Sequence, residues 1–533
     1  MNWIASRLLT SAALGLVALA PASQAATPDD TLVMAWNIDA ISTFDPAQVG
    51  EVVTNELLQN ICDSLVSFDP ADETQVIPAL AESWEVSEDG LTLTFHLRKD
   101  AVFPSGNPVT AQDSAWSLKR AIALGFGNAA TLTEYGFSKE NMDERITAPD
   151  DHTLVLKFSE SYPTSLLLLA IAANRVSGTL DSQTIIPNEV DGDFGNTWLK
   201  DKTACAGPYQ LRQWNQGEAV VLEANPDYYG EAPRLKRVII RHVAETGTQR
   251  LLLENGDVDI ARDLTPDDLR ALDATDGITV ASVLKPQLIF WTFNTADPVF
   301  SDEKVRLAMK YLIDYQQLGD TVMQYLGTPW QSFVQGGAFG ALEGEEALPF
   351  SLDLEKAREI LAESDHPNGF EATVFIGTLP WSAPLAQHVQ QNAAQIGVRL
   401  NVEQMANAQF FARVRGREYR SGIMAWQTSV PDAHGNASRL VYNPDNSAEA
   451  KATQYPSWRA SFFDPAMNEV VLAAVIEPDP EKRVQMYADL QRDWMQTGEL
   501  AVMFQTYNVA GIRDGLKDWT WNGFQVFYAK AGK

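Results

Sequence analysis

Apolar residues alternate with polar ones from Leu91 to Arg98, placing Leu91, Leu93, Phe95 and Leu97 on one face and Thr92, Thr94 and His96 on the other. Following Asp89-Gly90, this two-residue period predicts a strand in a hairpin. The same period recurs at Leu154, Leu156 and Phe158, and the stretch between, Ser114 to Leu124, has a helical pattern. Farther along the pattern changes. Val305, Ala308, Met309, Leu312 and Ile313 form one helical stripe, opened by Ser301 as cap with Asp302 and Glu303 at the positive end of the dipole. Leu385, Val389, Ala393 and Ile396 form another, which stops at Gly397 and runs into a strand at Val398, Leu400 and Val402. Asp479-Pro480 predicts a capped helix start with Val484, Tyr487, Leu490 and Trp494 as its stripe. The chain therefore reads as mixed α/β, more β-rich near residues 76–185 and layered α/β in its second half.

The N-terminal pattern is of another kind. Arg7, an apolar run from Leu8 to Ala20 and the small-residue stretch Ser23-Gln24-Ala25 read as a secretory signal peptide over residues 1–25, cleaved after Ala25. No cysteine follows that point, so a lipid anchor is not expected, and no later run reaches the roughly 20 apolar residues a membrane helix needs. The sequence thus predicts an exported, soluble protein. In an oxidising compartment its two cysteines, Cys62 and Cys205, are open to pairing, although sequence alone leaves them equally free to be buried thiols.

Charge then narrows the function. With 70 Asp+Glu against 40 Lys+Arg, the formal net charge is −30, and no basic stripe is present to meet a phosphate backbone. Nucleic acid is excluded as a partner on that ground. Fourteen Trp and 23 Phe among 533 residues exclude a disordered acidic tail and supply large cores. Phosphate loops, G-x-S-x-G elbows and H-E-x-x-H helices are missing, and the six histidines have no ligand-like spacing. S-x-x-K occurs at Ser282 to Lys285 and at Ser301 to Lys304, without the S-D-N and K-T-G partners that β-lactam chemistry requires. No catalytic residue, metal site or cofactor is expected, and binding is favoured over turnover.

Several segments, in order, resemble the family 5 solute-binding proteins of ABC importers, the oligopeptide, dipeptide and nickel-binding group. They are Phe44-Asp-Pro-Ala47, Asp63-Ser-Leu-Val-Ser-Phe-Asp69, Pro78-Ala-Leu-Ala-Glu-Ser-Trp84 and Phe103-Pro-Ser-Gly-Asn-Pro-Val-Thr-Ala-Gln-Asp113, followed by Gly207-Pro-Tyr209, Asn225-Pro-Asp-Tyr-Tyr-Gly230 and Gly256-Asp-Val-Asp259. The resemblance implies a two-lobed, class II-like periplasmic-binding-protein fold with an extra small α+β domain and a ligand cleft between the lobes. Its implied layout is lobe I at 26–75, an inserted domain at 76–186, lobe I again at 187–286, lobe II at 287–500 and a C-terminal return at 501–533. Crossing strands are expected near residue 286 and at 500–507. It further implies a periplasmic monomer that captures a short peptide and passes it to an ABC permease and its ATPase in the inner membrane. An oligosaccharide, an opine-like conjugate or another polar solute is the alternative.

The same resemblance implies candidate ligand residues. Where relatives that bind peptides often carry an acidic residue three positions after a tryptophan, paired with the peptide α-ammonium, this sequence has Trp426-Gln-Thr-Ser429, with Asp432 the nearest acidic substitute. Trp381 falls on the expected lobe II surface, and so does Trp291, for which core packing is the favoured reading. Ala204-Cys205-Ala206 replaces the usual residues before Gly207-Pro-Tyr209 in a loop that faces the cleft in relatives. Phe44 completes the lobe I side, and Arg415, between Arg413 and Arg417, is a candidate partner for a ligand carboxylate.

Overall fold

The computed structural model describes residues 27–533. The signal peptide expected over residues 1–25 lies outside the described residues. One sheet of eleven strands runs through both lobes. In the first lobe, Thr31–Trp36 is parallel to Arg237–His242, which continues antiparallel through Ala219–Ala224 to Tyr209–Asn215. Every residue of Thr31–Trp36 is buried, as expected for a strand covered on both faces. Leu32, Met34 and Trp36 pack into one core with Phe44, Leu57 and Tyr528, whereas Val33 and Ala35 pack into a smaller one with Leu253 and Leu272.

Two strands carry the sheet from one lobe to the other. Ile278–Phe293 has 16 residues and Leu500–Arg513 has 14, roughly 50 Å of extended chain at about 3.3 Å per residue. They pair with each other on both sides of an irregularity between Leu284 and Leu288. Pro286 lies in that interval and has no N–H for the ladder. Gln505 repairs the gap, its Nε2 donating to the Lys285 carbonyl at 3.1 Å. Beyond the irregularity, Ile278–Phe293 pairs with Ser421–Gln427, which lies parallel to Glu371–Ile376 and through it to Arg399–Gln404. The second lobe packs its core on these strands, with Trp291 fully buried in it.

A separate antiparallel sheet of four strands, Ala81–Val86, Thr92–Leu97, Thr153–Lys157 and Ile146–Asp150, falls within the segment read as inserted. Leu93, Phe95, Leu97, Leu154 and Leu156 are buried from it, as the alternation predicts. They meet the helix Ala111–Leu124, closed at its start by a capping box between Thr110 and Asp113, and the helix Thr164–Ala173. Leu166 to Ala172 are all buried, as befits a helix apolar all round.

Two local readings are corrected. The helix predicted from Ser301 spans Glu303–Lys310 and is capped by Asp302, whose carboxylate accepts from the Lys304 amide at 2.8 Å. The helix Pro480–Thr497 begins under Asp479 as predicted, but Val484 is 36% exposed while Arg483 faces inward, because Arg483 has a buried carboxylate to meet.

Candidate ligand cleft

A cavity of about 600 Å³ opens between the lobes at the crossing strands. Its first wall is the helix Val52–Ile61, through Val52, Asn55, Glu56 and Gln59, with the C-terminal segment 522–526 beside it. Asn60 ties the two together by donating to the Val526 carbonyl at 2.9 Å. The small domain contributes Asn128, Thr131, Glu134 and Tyr135 and the stretch Ala173 to Arg175, the latter placed by the end of the apolar helix Thr164–Ala173. Lys285 and Asn508 come from the crossing strands, and Trp426 to Val430, His434, Arg439 and Arg459 from the second lobe. An adjoining cavity of about 410 Å³ shares Glu134, Tyr135, His434, Ser438 and Arg439.

Both carboxylates lining the cleft are already engaged. Glu56 accepts both guanidinium nitrogens of Arg262, at 2.6 and 2.8 Å, and the Tyr528 hydroxyl at 2.7 Å. Glu134 reaches across from the small domain to Arg439 at 2.6 Å, with His434 Nε2 at 3.6 Å. Burial pushes the Glu134 carboxyl up, but the His434 imidazole and the Arg439 charge outweigh it and hold the group at about 2 against an ordinary 4.5. A depressed carboxylate stabilises the folded state above its unfolded value and loses that contribution as pH falls through the folded one. The wild-type protein is therefore expected to melt above Glu134→Gln at pH 6–7, with the gap closing between about pH 4.5 and 2. Parallel melts across that range check this, and a gap that stays constant would remove the bridge from the stability balance.

The sequence-derived candidates divide. Trp426 and Ser429 line the cleft. The Trp426 indole donates to Asn436 Oδ1 at 3.1 Å, which sets the plane of the ring. Ser429 is exposed and, among the described residues, its hydroxyl makes no hydrogen bond within the chain.

The other candidates are placed elsewhere. Asp432 is 1% exposed and binds Arg483 through two contacts of 2.6 and 2.7 Å, so its carboxylate is saturated and turned away from the cavity. Phe44 is fully buried, edge-on to Trp214 with centroids 5.5 Å apart. Cys205 and Ala206 are buried under the first lobe, where Cys205 is joined to Cys62 in a disulfide with Cα atoms 4.7 Å apart. Next to them, a Cβ on Gly207 would overlap the Ile61 carbonyl, so that turn packs against the back of the cleft helix and not into the cavity. Trp381 precedes the helix Ser382–Gln395 and packs on the second-lobe core. Arg415 is exposed at the end of the helix Asn407–Arg415, 5.8 Å over the Phe411 ring.

The residues that sequence reasoning missed are mostly charged. Lys285 had a signal, a charge set in an otherwise apolar crossing strand. Arg175, Arg439 and Arg459 had none, being single cations among 40 Lys+Arg.

Against known proteins, the family described as "Bacterial extracellular solute-binding proteins, family 5 Middle" matches residues 75–448. The chain is 27% identical over 527 residues, 97% of either sequence, to the probable D,D-dipeptide-binding periplasmic protein DdpA of Escherichia coli K12. Among solved structures, the substrate-binding protein CtaP of Listeria monocytogenes superposes with a TM-score of 0.80 at 18% identity, covering 94% of this chain and 99% of that one. The periplasmic binding protein DppA of Helicobacter pylori, solved with the peptide STSA, superposes with a TM-score of 0.75 at 22% identity, covering 94% and 98%.

Proposed function

The chain belongs to the family 5 bacterial extracellular solute-binding proteins, and we propose that it captures a short peptide between its lobes and delivers it to an ABC permease and its ATPase. One observation carries this reading: a cavity of about 600 Å³ whose walls come from both sides of two crossing strands. A ligand seated there touches both lobes only when they are together, so its binding energy favours the closed form that a permease can read. The volume lies within the range of about 300–1,000 Å³ typical of small-molecule sites.

The similarity to a dipeptide-binding relative over nearly the whole chain supports a peptide as cargo. So does the lining, in which Asn55, Gln59, Thr428 and Asn508 offer neutral donors and acceptors suited to main-chain amides. On this reading residues 26–75, 187–286 and 501–533 form lobe I, 76–186 the inserted domain and 287–500 lobe II. Residues 1–25 direct export to the periplasm, and the protein works as a monomeric carrier without turnover. Among the described residues, no helix is long and apolar enough to cross a membrane.

Mass spectrometry of whatever is released when freshly purified protein is denatured tests the cargo. A short peptide is expected. An oligosaccharide or opine-like conjugate with no peptide would overturn the peptide reading and leave the carrier role standing.

A further inference from the structure

The cleft holds more positive charge than its carboxylates use. Glu134 is matched by Arg439, and Glu56 by Arg262. Arg175, Lys285 and Arg459 remain. Arg175 donates to the carbonyls of Ala172 and Ala173, at 2.8 and 3.1 Å, and Arg459 to that of Thr453 at 2.6 Å. Lys285 Nζ has no hydrogen bond or ion pair among the described residues.

These three cations stand on three different walls: the small domain, the crossing strand and the second lobe, where Arg459 lies 5.9 Å over the Trp426 ring. Each is held below its ordinary pKa by burial. Lys285 is lowered further by the Arg262 charge, and Arg459, at about 10, by that of Arg415; Arg175, also near 10, is partly compensated by Asp63. Asp63 lies outside the cavity and accepts from Tyr228 and Tyr229, at 3.0 and 2.5 Å. Ser429, exposed on the second-lobe wall of the cavity, is neutral, so among the described residues the only carboxylates on the lining are Glu56 and Glu134, both already paired.

Deepening the cargo reading above, we propose that the cleft selects a short ligand carrying two or more carboxylates, with Lys285, Arg459 and Arg175 as counter-charges and no ion pair to a ligand amine. Cations partly withdrawn from water without an ion pair destabilise the empty protein, and an anionic ligand relieves that cost only when closure brings the walls together. The chain's net charge of −30 does not oppose this, because a cleft with a local excess of positive charge between low-dielectric walls focuses its own field.

Calorimetry with five probes tests the proposal: Glu-Glu, N-acetyl-Glu-Glu, Ala-Ala, Lys-Lys and citrate. Glu-Glu and N-acetyl-Glu-Glu are expected to bind within a few-fold of each other and at least tenfold tighter than Ala-Ala and Lys-Lys. Lys285→Met is expected to weaken the acidic probes tenfold or more while leaving the melting temperature of the ligand-free protein unchanged or raised. A structural lysine would lower that temperature, and Arg459→Met provides a second variant on another wall. Ala-Ala or Lys-Lys binding as tightly as Glu-Glu overturns the charge assignment and leaves the peptide reading intact. Citrate binding with no peptide bound overturns the peptide reading and supports the charge assignment. Failure of every acidic probe to bind, or a lower ligand-free melting temperature for Lys285→Met, overturns the proposal.

Discussion

Asp432→Ala is expected to destabilise the second lobe by about 3–5 kcal/mol, the usual cost of stranding one member of a buried ion pair. Asp432 and Arg483 have side chains only 1% and 2% exposed, and they meet through two short contacts. Arg483 also donates Nε to the Ala474 carbonyl at 3.1 Å, and its guanidinium lies 5.1 Å from the ring centre of Phe339 and 5.2 Å from that of Tyr487. Without the carboxylate, that guanidinium has no anion and no path to water. Asp432 does a second task, accepting the His434 amide at 2.8 Å to start the short helix Ala433–Asn436, after which the chain reaches Arg439.

At about 2–4 °C per kcal/mol for a domain of 150–250 residues, the melting temperature should fall on the order of 6–20 °C. Asp432→Ala combined with Arg483→Met should recover most of this loss, because two apolar residues replace a pair whose desolvation was costly. Thermal and urea unfolding of the two variants decide the matter. A fall of less than about 1 kcal/mol for Asp432→Ala, together with lost ligand affinity, would return Asp432 to the ligand.

Replacing Cys62 and Cys205 together by alanine is expected to cost about 2–5 kcal/mol. The disulfide closes a loop with a sequence separation of 143 residues, and loop-closure entropy removed from the unfolded chain grows with the logarithm of that length. Its position also bears on the site. Cys62 is the C-terminal cap of the helix Val52–Ile61, which supplies Glu56 and Gln59 to the cleft, and Cys205 anchors it to the turn before Gly207. Melting should fall by a similar amount when wild-type protein is reduced, and ligand affinity should weaken as the first wall loosens. An unchanged melt in reductant, with two free thiols counted by mass, would show that packing alone holds the helix.

What could be read along the chain depended on how local the deciding contact was. Thr92–Leu97 was legible because a strand half-buried on one face writes its period directly into the residues. The helix Ser382–Gln395 running through Gly397, at φ +82°, into Arg399–Gln404 was legible for the same reason, its stop being a left-handed position that glycine takes without strain. In Pro480–Thr497 the stripe holds at Tyr487, Leu490 and Trp494 and fails only at Val484, because Arg483, a polar residue by every local rule, is buried against a carboxylate 51 positions away.

Site residues failed in the same way. Glu134 and Arg439 are 305 positions apart, and nothing near either says that the other will be there. Phe44, Cys205, Ala206 and Trp381 were reasonable candidates by resemblance, but a motif reports family membership, whereas facing a cavity depends on how three layers close on it. Trp426 and Ser429 sit at the end of a strand directed at the cleft, so their placement followed from the strand itself.

By itself, then, the sequence determined the alternation and helical stripes, most of the caps, the family and the acidic overall charge, all of which depend on neighbouring residues or on sums over the chain. Only the tertiary structure decided which charges are paired and which are left over. A cation's role depends on whether a carboxylate from another wall reaches it, and that is a matter of distances between segments hundreds of residues apart. Lys285, Arg175 and Arg459 have composition in common with every other cation of the chain and differ only in facing a cleft whose two acids are already taken.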